Sequence, residues 1–168
     1  MDKTKSTDKN NKSGSSMLNK KAPAFNLKNS KGEPVRLSDL KGTKVVLYFY
    51  PKDDTPGCTI EGNEFSKYVK AFKGQNTVIF GVSKDSVESH DKFKCKFNFG
   101  FELLADINEE LCKKFDVIKE KNMYGKKYMG IERSTFVIDE EQKIIAEYRK
   151  VKAEGHAEAV LGFIKSHS

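Results

Sequence analysis

One stretch concentrates the residue types that could do chemistry: Pro51-Lys-Asp-Asp-Thr55-Pro56-Gly57-Cys58-Thr59-Ile60-Glu61. It lies where an apolar run, Val45–Tyr50, hands over to a helical pattern, the point at which α/β sheets place their sites. Thr55 suits an N-cap and Pro56 the first helical position, so Gly57 and Cys58 become the second and third. A capping box would put Glu or Gln at that third position. A thiol there meets free backbone amides and the positive end of the helix dipole, which favour the thiolate. The competing reading is a small buried filler. Fillers sit on the apolar stripe, and Cys58 lies ahead of it, so the nucleophile reading is preferred.

The other two cysteines differ in kind. Cys95 falls in a helical segment whose stripe is Val87, His90, Phe93 and Phe97, and it points about 145° away from that stripe, so it should be exposed. Lys94 and Lys96 flank it and would favour its thiolate. Cys112, beside Leu111 and one turn before Phe115, reads as a buried structural thiol. An odd cysteine count makes no disulfide framework, and with three histidines no zinc-type cluster or other metal site is expected. The histidines build no site: His90 reads as a core or boundary residue, and His156 and His167 lie near the end of the chain. Arg133 read by itself would be a surface ion-pair residue.

The elements that must position these groups follow from periodicity. Phe25–Leu27 and Val35–Leu37 alternate around Lys31-Gly32 as a β-hairpin. Val45–Tyr50 and Val78–Val82 read as buried strands. Phe65, Tyr68, Val69 and Phe72 mark one face of a helix ending at Gly74, and Asp85 with Glu88 forms the capping pair of the next. A short helix spans Glu109–Phe115, Ser134–Ile138 and Ile144–Arg149 form a hairpin, and Ala157, Val160, Leu161 and Ile164 close the chain as a helix. This order predicts an α/β sandwich with a central mixed sheet, of the thioredoxin type.

Length and composition bound the alternatives. A chain of 168 residues is one domain. Residues 1–21 carry six lysines against two aspartates and are expected to form a disordered Lys/Ser/Asn-rich tail, Met1–Ser16 lacking any aromatic or branched apolar residue; the folded domain is expected over 22–168. The overall charge of +7 thus leaves only +3 outside the tail, which argues weakly for nucleic acid. The lysine-rich Lys119–Lys127 segment reads as a solvated loop rather than a nucleic-acid contact. No apolar run reaches membrane-spanning length and no secretory h-region stands at the N-terminus, so a cytoplasmic protein is expected, its thiols reduced.

Pro51-x-x-x-Thr55-x-x-Cys58 matches the peroxiredoxin active-site pattern, and Gly57-Cys58-Thr59-x-Glu61 resembles the bacterioferritin comigratory protein, or peroxiredoxin Q, subgroup. The likeness runs from about Ala22 to Ile164 and includes Ser89-His90-Asp91-x-Phe93, Ile118–Lys121 with Met123–Lys126, and Gly130–Phe136. The resemblance implies a thioredoxin-like fold with an N-terminal β-hairpin and a thiol peroxidase that needs no cofactor. It makes Cys58 the peroxidatic cysteine, gives Thr55 a bond to the peroxide, has Arg133 stabilise the thiolate and the developing charge, and has Pro51 shield the pocket. The substrates implied are hydrogen peroxide and organic hydroperoxides, the reductant thioredoxin, and the protein a monomer. Many members of the subgroup carry a resolving cysteine five residues after the first, and here that position is Asn63. Others carry it in the helix after the second strand, one position before Cys95, where Lys94 stands. Cys95 is the expected resolver, with Cys112 or an external thiol as the alternatives.

A thioredoxin-like oxidoreductase would show Cys-x-x-Cys and a later proline; Cys58 is followed by Ile60 and Glu61, and no proline follows Pro56. A nucleic-acid-binding module would need a recognisable reader motif beside the basic tail, and the chain has none.

Overall fold

The computed structural model describes residues 16–167. Six consecutive buried residues, Lys44–Phe49, form strand β3 in the interior of a seven-stranded sheet. With β1 (Asn26–Lys28), β2 (Pro34–Arg36), β4 (Thr77–Ser83), β5 (Glu102–Ala105), β8 (Ser134–Ile138) and β9 (Ile144–Tyr148), the sheet order is β2-β1-β5-β4-β3-β8-β9. Strands β3, β4 and β5 run parallel, whereas β8, β9, β1 and β2 pair antiparallel, so the sheet is mixed as expected.

The period-2 alternation of β3 builds both cores at once. Val45, Leu47 and Phe49 face one side, with Phe25, Phe115, Phe136 and helix α4 (Glu110–Lys114). Val46, Tyr48 and Tyr50 face the other, against Phe65, Phe72, Phe93 and Ile164 of α1 (Pro56–Lys67), α2 (Val69–Gly74), α3 (Val87–Phe97) and α5 (His156–Ser166). Cys58 belongs to this second core.

Four features depart from the sequence expectations. The helix expected through Gly74 breaks at Tyr68 (φ −101°, ψ 9°); α1 packs on α5 and α2 on β4. Ser86, not Asp85, caps α3, its hydroxyl accepting from the Ser89 amide. The Lys119–Lys127 segment is no loop. It is a two-stranded antiparallel ribbon, β6 (Ile118–Met123) with β7 (Lys126–Ile131), closed by Tyr124-Gly125 with both φ positive, as a two-residue hairpin turn requires. Its exposed residues hid the alternation. Strand β5 went unread because four residues are too few to show a period.

The expected tail, 1–21, is described only from Ser16. Residues 16–21 lie along β9: the Asn19 amide donates to Ile144 O, the Ile144 amide to Lys20 O, and the Ser16 hydroxyl to Glu147. Met17 packs against the core, so residues 16–21 are not the disordered segment expected and the fold reaches back ahead of Ala22. The rest of the tail lies outside the described residues. Among those described, no helix is long and apolar enough to cross a membrane.

Candidate active site

Helix α1 starts at Pro56 with Thr55 as N-cap in an extended conformation (φ −107°, ψ 157°), so Cys58 does occupy the third helical position. The expected side-chain cap is absent: the Thr55 hydroxyl donates to Lys52 O at 2.8 Å instead, leaving the amides of the first turn open towards the thiol. Cys58 is 2% exposed and Pro51 is half-buried at the head of the same loop.

Arg133 comes from the segment between β7 and β8. Its Nη2 lies 3.5 Å from Cys58 Sγ and its Nη1 2.6 Å from Glu61 Oε1. Cys58 and Glu61 stand one helical turn apart, so a single planar guanidinium serves both. Gly57 makes room for it. A Cβ there would lie 2.9 Å from Arg133 Nη2.

Glu61 is fully buried, and its Oε2 has no hydrogen-bond partner among the described residues. Burial pushes its pKa up to about 7 against the opposing pull of Arg133. The Arg133 pKa is raised, the charges of Glu61 and Cys58 and its bonds to them outweighing its own burial. Tyr48 forms the floor, stacked on Phe65 at 4.6 Å, its hydroxyl also without a partner; burial, then the charges of Glu61 and Cys58, push its pKa well up. On the solvent side Lys121 of β6 leans over Gly130, and burial, then the Arg133 charge, lower its pKa. His156 accepts or donates at 2.8 Å with the Thr135 hydroxyl; burial, helped by Arg133, drops its pKa to about 4, so it is neutral.

The arrangement suits attack on an electrophile that leaves as an anion. A sulfur nucleophile sits at a helix N-terminus with a fixed cation beside it in a site largely closed to water. The structure thus brings Thr55, at the start of α1, together with Cys58 and Arg133, while Pro51 lies half-buried four residues ahead of Thr55. Cys95 does not join them: it is exposed on α3, its Sγ 3.7 Å from Asp91 Oδ1. Its flanking lysines are committed elsewhere, Lys94 to Glu102 at 2.7 Å and Lys96 to Asp54 at 2.8 Å, so they do not attend the thiol as expected. Cys112 is fully buried against Asp106, and burial with that carboxylate pushes its thiol far up, which opposes formation of a thiolate there.

The sequence reading assigned no role to Glu61, Tyr48 or Lys121. The Glu61 signal was legible: a carboxylate three residues after a cysteine in a helix's first turn shares its face. Among the described residues no group of side chains could hold a metal ion.

The AhpC/TSA family is matched over residues 18–147. The chain is 51% identical over 151 residues to Peroxiredoxin Bcp of Bacillus subtilis (strain 168), covering 90% of this chain and 96% of that protein. It is 51% identical over 139 residues to Peroxiredoxin Bcp of Xanthomonas campestris pv. campestris, covering 83% and 87%. Among solved structures, the bacterioferritin comigratory protein of X. campestris, described with alkyl peroxide reduction activity, superposes with a TM-score of 0.82 at 50% identity, over 85% of this chain and 91% of that one. Xylella fastidiosa PrxQ superposes with a TM-score of 0.85 at 45% identity, over 92% and 99%.

Proposed function

Because the chain belongs to the AhpC/TSA family and is a peroxiredoxin, a thiol peroxidase, we propose that Cys58 is its peroxidatic cysteine and Arg133 the cation that activates it. One observation carries the reading: Arg133 Nη2 stands 3.5 Å from a thiol in the first turn of α1.

The Cys58 thiolate attacks one oxygen of the peroxide; an S–O bond forms as the O–O bond breaks, and the leaving oxygen departs with a proton as water or alcohol. Arg133 faces the negative charge as it moves from sulfur to oxygen, held in place by Glu61. Thr55, its hydroxyl not used as a cap, is the hydrogen-bonding partner assigned to the peroxide, and Pro51 bounds the pocket. Alkyl hydroperoxides join hydrogen peroxide as substrates, in line with the activity described for the X. campestris relative.

The product is a Cys58 sulfenic acid. Cys95 resolves it: its sulfur attacks the Cys58 sulfur, the S–O bond breaks, and hydroxide leaves with the thiol proton as water. A thioredoxin-type dithiol then reduces the disulfide. We take the protein to be a monomer working in a reducing, cytoplasm-like compartment, where unpaired thiols are the resting state. Peroxide consumption with thioredoxin as donor tests the cycle. Cys58→Ser should abolish it, and Cys95→Ser should leave one turnover per chain with thioredoxin alone, each further turnover consuming two equivalents of an added monothiol; sustained thioredoxin-driven turnover without Cys95 would exclude this resolver.

A further inference from the structure

One cation at the edge of the Cys58 site has no anion to answer it. Among the described residues, the lysines drawn in from solvent are Lys44, Lys94, Lys119 and Lys121. The first three each hold a carboxylate: Lys44 with Glu140 at 3.1 Å, Lys94 with Glu102 at 2.7 Å and Lys119 with Asp116 at 3.1 Å. Lys121 holds none, and its ammonium makes no hydrogen bond or ion pair among those residues. Glu120 beside it points to the opposite face of the ribbon, 3.6 Å from Lys127. Glu61 is bound to Arg133 and fully buried, so it does not serve Lys121 either.

The ribbon's register explains why this long side chain turns inward. Lys121 faces Tyr128 across the two strands, and Gly130 is their diagonal neighbour on the same face. A Cβ on Gly130 would stand 3.2 Å from the Tyr128 ring and 3.3 Å from Lys121 Cδ, so both side chains lean into the space that glycine leaves. Lys121 thus runs over Gly130, towards the end of β7 that leads into Arg133. Burial, then the Arg133 charge, lower its pKa, while the charges of Cys58 and Glu132 act the other way. A half-buried ammonium beside a second cation is costly in the free protein, and an incoming anion relieves the repulsion.

We propose that Lys121 is a specificity-determining residue, the subsite for a carboxylate carried on the body of the substrate, so that acid-bearing hydroperoxides are taken in preference to neutral ones; this rests on the reading of Cys58 as the peroxidatic thiol. The peroxy group goes to Cys58 and Arg133 and the carboxylate to the Lys121 ammonium. The hydrocarbon between them lies along the ribbon face that Lys121 shares with Tyr128 and Met123, which are 44% and 55% exposed. Hydrogen peroxide gains nothing from Lys121. The residue therefore adds selectivity without touching the O–O bond.

The test compares stopped-flow oxidation of Cys58 in the full chain by cumene hydroperoxide and by its para-carboxylate, a pair that differs in charge alone. In the wild type the carboxylate should raise the second-order rate constant about threefold to fivefold, the range of a half-exposed ion pair. That advantage should shrink as salt is raised from about 20 mM to about 500 mM. Lys121→Met should bring the ratio of the two rate constants to about one, whereas Lys127→Met, the same charge removed from the opposite face, should keep the wild-type ratio. A wild-type ratio of one, a ratio unchanged in Lys121→Met, or an equal fall in Lys127→Met would overturn the subsite while leaving Cys58 as the reacting thiol. No oxidation of Cys58 by either compound in the wild type would overturn both.

Discussion

Cys58 and Glu61, one helical turn apart on α1, are bound to the same guanidinium, at 3.5 Å and 2.6 Å. The anchoring carboxylate is buried and leaves one oxygen without a partner, which keeps its proton affinity high. Arg133 is thereby aimed by Glu61 and shared with the thiol.

A lysine cannot bridge the two groups, because its ammonium has neither the planar fork nor two separated nitrogens. Arg133→Lys should slow the reaction of Cys58 with peroxide by about 10²-fold, and Arg133→Met by more, on the scale of losing one donor to a developing anion. Stopped-flow rates with an alkyl hydroperoxide check this; less than a threefold loss in Arg133→Met would remove the guanidinium from the chemistry.

Gly57→Ala separates stability from activity. Alanine favours the helix over glycine by about 1 kcal/mol, and the backbone is ordinary here, but its Cβ would sit 2.9 Å from Arg133 Nη2. The expected variant melts no lower than wild type and reacts with peroxide at least tenfold more slowly. Thermal scans and the same kinetic assay decide it.

Two buried groups should cancel in the stability profile. Glu61 holds its proton up to about 7 in the fold against 4.5 when unfolded, so stability is lost as pH rises from about 4.5 to 7. His156 stays neutral down to about 4 against 6.5 unfolded, so stability is lost as pH falls from about 6.5 to 4. Each slope is on the order of 1.4 kcal/mol per pH unit, and over the shared window they oppose. Glu61→Gln should therefore show stability rising with pH between about 4 and 6.5, and His156→Gln stability falling between about 4.5 and 7. Urea melts across that range measure both slopes.

Removing residues 1–15 should leave melting temperature and peroxidase rate unchanged, since their composition offers nothing to pack. Extending the deletion through Lys21 removes the Asn19 and Lys20 bonds to Ile144 and the packing of Met17, and should lower the melting temperature by several degrees.

Local signals carried the parts that were legible before the structure. Cys58 was located by Thr55, Pro56 and the strand ahead of it, and the sheet's long strands by their apolar runs. Arg133 needed the resemblance, because 75 residues separate it from Cys58 and nothing in its own neighbourhood points there. Tyr68 ends α1 without a glycine or proline, so the break has no local marker.

The most direct test of the account is the site of first oxidation. The Cys95→Ser chain, given one equivalent of alkyl hydroperoxide and a sulfenic-acid trap, should carry the adduct at Cys58, with Cys112 untouched, and Cys58→Ser should yield none. Adduct at Cys112, or peroxide consumption persisting in Cys58→Ser, would contradict the assignment of Cys58 as the reacting thiol.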